Sequence, residues 1–177
     1  MTTTTNKLWQ AAKAILADAG ISDIPIKPID DPDRGALMQD YGYNPPRPIH
    51  LQVVWPPKTQ KDLAVLSHEA GHAATTSWAN ANQEVLWAEL KASLWGMQAL
   101  ARLGMLTEDD LATRQHALGT YLRAAVNPLW WDTRERTMAN EFHHGRHAED
   151  VKAFMAAKSL NDPKLQELLK GTYGRAD

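Results

Sequence analysis

Cysteine is absent from the 177 residues of this chain. Its absence excludes disulfides, thiolate metal ligands and a cysteine nucleophile together, so any metal must be held by histidine, glutamate or aspartate. No stretch is apolar for long enough to cross a bilayer, and residues 1–7 lack a basic region followed by an apolar run. The expected setting is the cytoplasm, with no membrane partner. Excess charge of one sign is lacking as well. The formal net charge is −2 and no lysine or arginine run forms a local patch, so nucleic acid is not expected as the main ligand. What is present, 44% hydrophobic and 23% charged residues, is the composition of a globular protein able to bury a sizeable core. By length, residues 1–177 are expected to form a single domain.

One stretch carries chemistry: Asp62-Leu-Ala-Val-Leu-Ser-His68-Glu69-Ala-Gly-His72-Ala-Ala-Thr75. Histidines four residues apart on an α-helix lie one turn above each other on one face, so both imidazoles can reach the same metal ion. Glu69 is rotated about 100° round the helix from His68, close enough to accept a proton from a metal-activated water without ligating. Leu63, Val65, Leu66, Ala70, Ala73 and Ala74 surround the pair with small and apolar side chains, as a buried active-site helix requires. The plainer reading is two histidines on an ordinary helix.

Along the chain, Leu8, Trp9, Ala12, Ile15 and Leu16 recur at helical spacing and Gly20 stops the pattern. From Ile21 to Pro57 the texture becomes extended. Strands are expected over 24–29 and over 49–55, the second at a sheet edge beside the histidine helix, where an extended peptide can add as a further strand. The histidine helix is predicted from about Thr59 to Ser77, followed by a turn at 79–82. Leu86, Leu90, Leu94, Met97 and Leu100 then mark a helix from Gln83 to Leu103, closed by Gly104. Thr107 with Glu108, Asp109 and Asp110 caps another helix through about Val126. Asn127-Pro128 breaks the pattern, and Leu129-Trp130-Trp131 reads as an apolar plug. Helical segments are expected over 133–147 and 148–160, and a last one after Asn161-Asp162-Pro163. The fold class that follows is α+β, mostly α-helical.

A catalytic zinc site takes three protein ligands and a water, so a third ligand is needed. If the next helix runs back antiparallel after a short turn, the residue facing His72 falls within 87–91, which points to Glu89. Glu84 is the rival at the very start of that helix, where acids also serve the helix dipole. Asp109 or Asp110 can serve if the following helix folds over the site. In Glu141-Phe-His143-His144-Gly-Arg-His147, His143 and His147 also stand four apart. They can form a second metal site, replace the third ligand or place an imidazole on the oxyanion, or they mark an exposed polar helix end. Tyr121 is a second candidate oxyanion donor, and His50 and His116 receive no role.

His68-Glu-Ala-Gly-His-Ala73, together with Glu84-Val-Leu-Trp-Ala-Glu89-Leu-Lys-Ala92, resembles the zincin metallopeptidases. Within that group the order of elements is similar to compact enzymes of the ImmA/IrrE type and to the metallopeptidase domain of ArdC-type antirestriction proteins, over roughly residues 20 to 105. The resemblance implies a minimal zincin-like domain, with a small β-sheet packed on the His-Glu helix and the acidic ligand on the helix after it. His68 to Ala73 is also identical to the hexapeptide common in FtsH-type proteases, and Asp110-Leu-Ala112-Thr113 resembles the segment that carries their aspartate ligand. The third ligand therefore stays open between Glu89 and Asp110.

The expectation is a zinc-dependent peptide hydrolase with Zn2+ on His68, His72 and Glu89, Glu69 as general base, and a peptide or protein as substrate. The alternative, from another class, is a non-catalytic metal-stabilised binding or inhibitor module of a mobile element, distinguished by a closed shell of four protein ligands.

Overall fold

Helical periodicity decides most of the architecture. The computed structural model describes residues 3–32, 34–40, 47–75, 85–126 and 133–171, and within them the chain forms seven helices and a three-stranded mixed sheet, a mostly helical α+β arrangement.

Helix α1, Thr3–Asp18, buries Leu8, Ala12, Ile15 and Leu16. It ends where Gly20 takes a φ of +69°, which lets the Ile21 N–H reach back to the Leu16 carbonyl and the Gly20 N–H to that of Ala17. Any residue with a Cβ is strained at that φ, so glycine here is a conformational requirement.

The sheet comprises β1 (Ile26–Pro28), β2 (Ala36–Asp40) and β3 (Arg47–Val53) in the order β1-β3-β2, with β1 parallel and β2 antiparallel to β3. This corrects the expectation of an edge strand over 49–55. That segment is central, because Leu51 pairs with Ile26 on one side and with Leu37 on the other. The edge beside the histidine helix is β2, within a stretch whose composition reads as loop. Ala36-Leu-Met-Gln-Asp40 has no β-branched residue, so its strand conformation comes from pairing with β3 rather than from propensity.

Helix α2, Gln60–Thr75, starts with a reciprocal cap. Asp62 Oδ2 accepts the N–H groups of Lys58 and Thr59 at 2.9 Å each, and Thr59 Oγ1 accepts the Asp62 N–H at 3.2 Å. Helix α3, Val85–Arg102, packs antiparallel on α2, with Gly71 against Ala92 and Gly96 against Ser67. A Cβ at Gly71 would lie 2.4 Å from the Ala92 carbonyl oxygen. The missing side chain therefore brings the two backbones to the distance at which a residue on α3 reaches between two histidines on α2. Helix α3 ends at Gly104, φ +64°, in the same manner as α1.

Helix α4, Glu108–Val126, opens with Thr107 and Asp110 capping each other. Helix α5, Thr133–His144, is followed by α6, Ala148–Ala156, and α7, Pro163–Leu168, the last capped by Asp162, which accepts from Lys164 and Leu165. Both α5 and α6 stop short of the expected 147 and 160. The chain turns at Gly145 and leaves helical geometry at Ala157, whose backbone is extended.

Two apolar clusters flank α3. Leu8, Ile15, Leu51, Leu63, Leu66 and Leu100 belong to the first, and Leu86, Leu90, Leu94, Met97, Phe154 and Leu165 to the second. Helix α3 contributes to both and so fixes the frame in which α2 and α4 meet. The expected turn at 79–82 and the break and plug over 127–131 lie outside the described residues.

Candidate metal centre

His68 and His72 project from one face of α2 with ring centroids 4.7 Å apart, and Glu89 enters from α3. Glu89 Oε2 lies 3.1 Å from His68 Nε2 and 3.6 Å from His72 Nε2. One donor atom from each of the three residues falls within 4.8 Å of the others, the only such group of three or more metal-ligating side chains among the described residues. His72 and Glu89 are buried and His68 is partly exposed, so the group opens on one side.

Its electrostatics are those of a carboxylate between imidazoles. Burial works against the charge on Glu89, but hydrogen bonding and charge from His68 and His72 outweigh it and hold the carboxyl well below the usual carboxylate range. Burial likewise lowers the pKa of His72, yet the contact with Glu89 and the charges of Glu89 and Glu69 prevail and raise it above the ordinary 6.5. The Ser93 hydroxyl, one turn beyond Glu89 on α3, lies 3.1 Å from His68 Nδ1. A hydroxyl donates or accepts as required, so Ser93 holds the ring with Nε2 turned to the group in either tautomer.

Glu69 does not join the cluster. Its Oε2 accepts the Leu37 N–H of β2 at 3.0 Å, and a Cβ at Gly35 would meet Glu69 Cγ at 2.8 Å and Val65 Cγ1 at 2.7 Å. The start of β2 thus lies flat over this carboxylate and orients it through the backbone. A cleft of about 790 Å³ opens here between α2 and α4, lined among others by Gly35, His68, Glu69, Glu89, Arg114 and Tyr121.

Of the other residues singled out in the sequence, Tyr121 is half-buried on the cleft wall. Asp110 lies elsewhere: its Oδ2 accepts from the Thr107 N–H and hydroxyl at 2.7 Å each and from Gln60 at 3.1 Å, and Asp109 is exposed. His143 and His144 are exposed at the end of α5, while His147 stacks on Trp87 at 3.7 Å beyond the turn at Gly145. His143 and His147 therefore do not share a helix, and neither belongs to the cluster. Glu84 lies outside the described residues.

Sequence reasoning passed over Ser93, Leu37, Arg114 and Glu141. For Ser93 a signal existed, since it follows Glu89 by four residues and shares its face. For Leu37 none existed, because a backbone N–H has no signature in a sequence. His116, given no role, stands exposed on the cleft wall. Comparison of the chain with known protein families, characterised proteins and solved structures gave no match.

Proposed function

We propose that this chain is a metal-dependent peptide hydrolase of the zincin type, with zinc as its ion. The observation that carries the reading is a division of labour within one helical turn. His68 and His72 converge with Glu89, while Glu69, between them in sequence, turns to a separate backbone donor at the mouth of the same cleft. Two imidazoles and a carboxylate, with no thiolate anywhere in the chain, form a donor set that suits zinc at a catalytic site. When bound, zinc supplies Lewis acidity toward a carbonyl oxygen and lowers the pKa of water to about 7.

The chain's own residues do the rest. Ser93 fixes the His68 ring, and the buried Glu89 completes the donor set from a second helix. Glu69 takes the proton of the attacking water and returns it to the leaving amine. The Leu37 N–H orients that carboxylate, and β2 presents an edge along which an extended peptide can lie. Tyr121, which lines the wall formed by α4, is the candidate donor to a developing oxyanion.

The rival reading, a metal-stabilised binding module, requires a closed shell of four protein ligands. Glu69 is the remaining donor closest in sequence to the histidines, and it faces β2 instead. Glu69→Gln separates the two readings. Hydrolysis of a quenched-fluorescence peptide library should fall by about 10²- to 10⁴-fold while zinc stays bound near one equivalent. Activity equal to that of the parent chain removes Glu69 from the mechanism, and a parent chain that binds zinc but cleaves no peptide removes the hydrolase.

A further inference from the structure

Arg114 lines the cleft, and its chemistry has no part in the reading above. It projects from α4 with 2% of its surface exposed. Nη2 donates to Ser67 Oγ at 2.6 Å and to the Ala64 carbonyl at 3.2 Å, which ties α4 to the back of the histidine helix. Nε and Nη1 are buried and have no hydrogen-bond partner among the described residues. Asp110, one turn earlier, supplies an opposing charge, but its oxygens accept from Thr107 and Gln60. Burial pushes the guanidinium pKa down to about 10, with Asp110 partly offsetting, so the group remains a cation at neutral pH. Three N–H donors on a buried charge thus lack acceptors among the described residues. Native interiors rarely carry that cost unless a ligand, an ion or a water meets it.

A guanidinium is the side chain best suited to a planar anion. Lys61 lines the same cleft, and of its two carboxylates Glu89 lies against the histidines while Glu69 accepts the Leu37 N–H. Peptides offer one anion of this kind, the carboxylate. We propose that Arg114 receives a carboxylate of the bound peptide, so that the cleft selects chains carrying one near the scissile bond. This identification of the ligand rests on the peptide-hydrolase reading. The carboxylate can be an acidic side chain or a free C-terminus, and the two sources separate by experiment.

The test is a titration of the full-length chain, zinc-free and zinc-loaded, with three short N-acetylated alanine peptides. One ends in a free carboxylate, one is its C-terminal amide, and one is an amide with an internal aspartate. The readout is the Arg114 Nε–H signal in a nitrogen–proton correlation spectrum, assigned by its loss in Arg114→Lys. The signal should move with one carboxylate peptide or both, identifying the source, and not with the neutral amide. Affinity for the carboxylate should exceed that for the amide by about tenfold or more. Arg114→Lys should reduce this preference, and Arg114→Met should abolish it.

The wild-type comparison needs no variant to fold. Equal affinities, a stationary Nε–H signal, or a preference seen only with zinc and retained in Arg114→Lys overturns the proposal and leaves Arg114 as a water-satisfied helix clamp. Carboxylate preference without any peptide cleavage sinks the hydrolase and keeps the binding site. Cleavage without preference does the reverse.

Discussion

Glu89 and His72 set the pH behaviour of the centre. A metal takes the neutral imidazole, so the proton that Glu89 and Glu69 help His72 retain must leave before zinc binds. The pKa of His72 is raised, and zinc affinity should therefore weaken as pH falls through that value, by about tenfold per pH unit below it for one displaced proton. Competition with a chromophoric chelator at pH 8 and pH 6 reads this directly, and equal affinities would contradict it. In the metal-free chain the linkage has two signs. The His72 contribution to stability is present below 6.5 and is lost as pH rises through the raised value. The Glu89 contribution is present above 4.5 and is lost as pH falls through the depressed value. Ser93 acts only through the ring that it orients, so Ser93→Ala should cost about 10- to 100-fold in zinc affinity with little change in stability. Isothermal titration and thermal melts of the metal-free variant separate the two effects.

Among the elements, α3 depends on a residue far away in sequence. Glu141 of α5 is buried and accepts the Val85 N–H at 2.9 Å and the Leu86 N–H at 2.8 Å, meeting two of the donors that a helix start leaves open. Its charge also suits the positive end of the helix. Glu89 lies one turn further along, so this cap steadies the third member of the cluster. Glu141→Ala should destabilise the fold by about 2 to 4 kcal/mol in urea denaturation and weaken zinc binding, with Glu141→Gln milder in both. A stability loss below about 0.5 kcal/mol would show that water replaces the cap. The segment around Glu141 draws attention in the sequence for its histidines, yet the glutamate is what the structure uses. His143 and His144 face outward because α5 ends beside Gly145, and His147 turns to Trp87.

At the scale of the whole molecule, a three-residue cluster drawn from two helices would couple metal binding to folding. Zinc that binds the folded chain and not the unfolded one should contribute about 4 kcal/mol at a thousandfold excess over Kd. For a chain of 177 residues that corresponds to a rise of about 8–16 °C in Tm, reversed by a chelator. A Tm that zinc leaves unchanged would argue against a specific site. Helix α3 lies between the two apolar clusters, and α4 also meets α2 directly through Arg114.

What the sequence by itself determined is whatever a periodicity or a short local pattern can encode. His68, Glu69 and His72 fall on one helix because their neighbours recur at 3.6 residues per turn. Gly20, Gly104, Thr59 and Thr107 mark helix ends through their own backbone and side-chain chemistry. The step to Glu89 needed only the assumption of an antiparallel helix pair. Tertiary structure alone decided the edge strand over Glu69, the cap on α3 and the buried guanidinium in the cleft wall. Each of these joins groups distant along the chain through a backbone amide or a lone polar side chain. Such partners are selected by where the packed elements come to rest, which no local pattern of residues records.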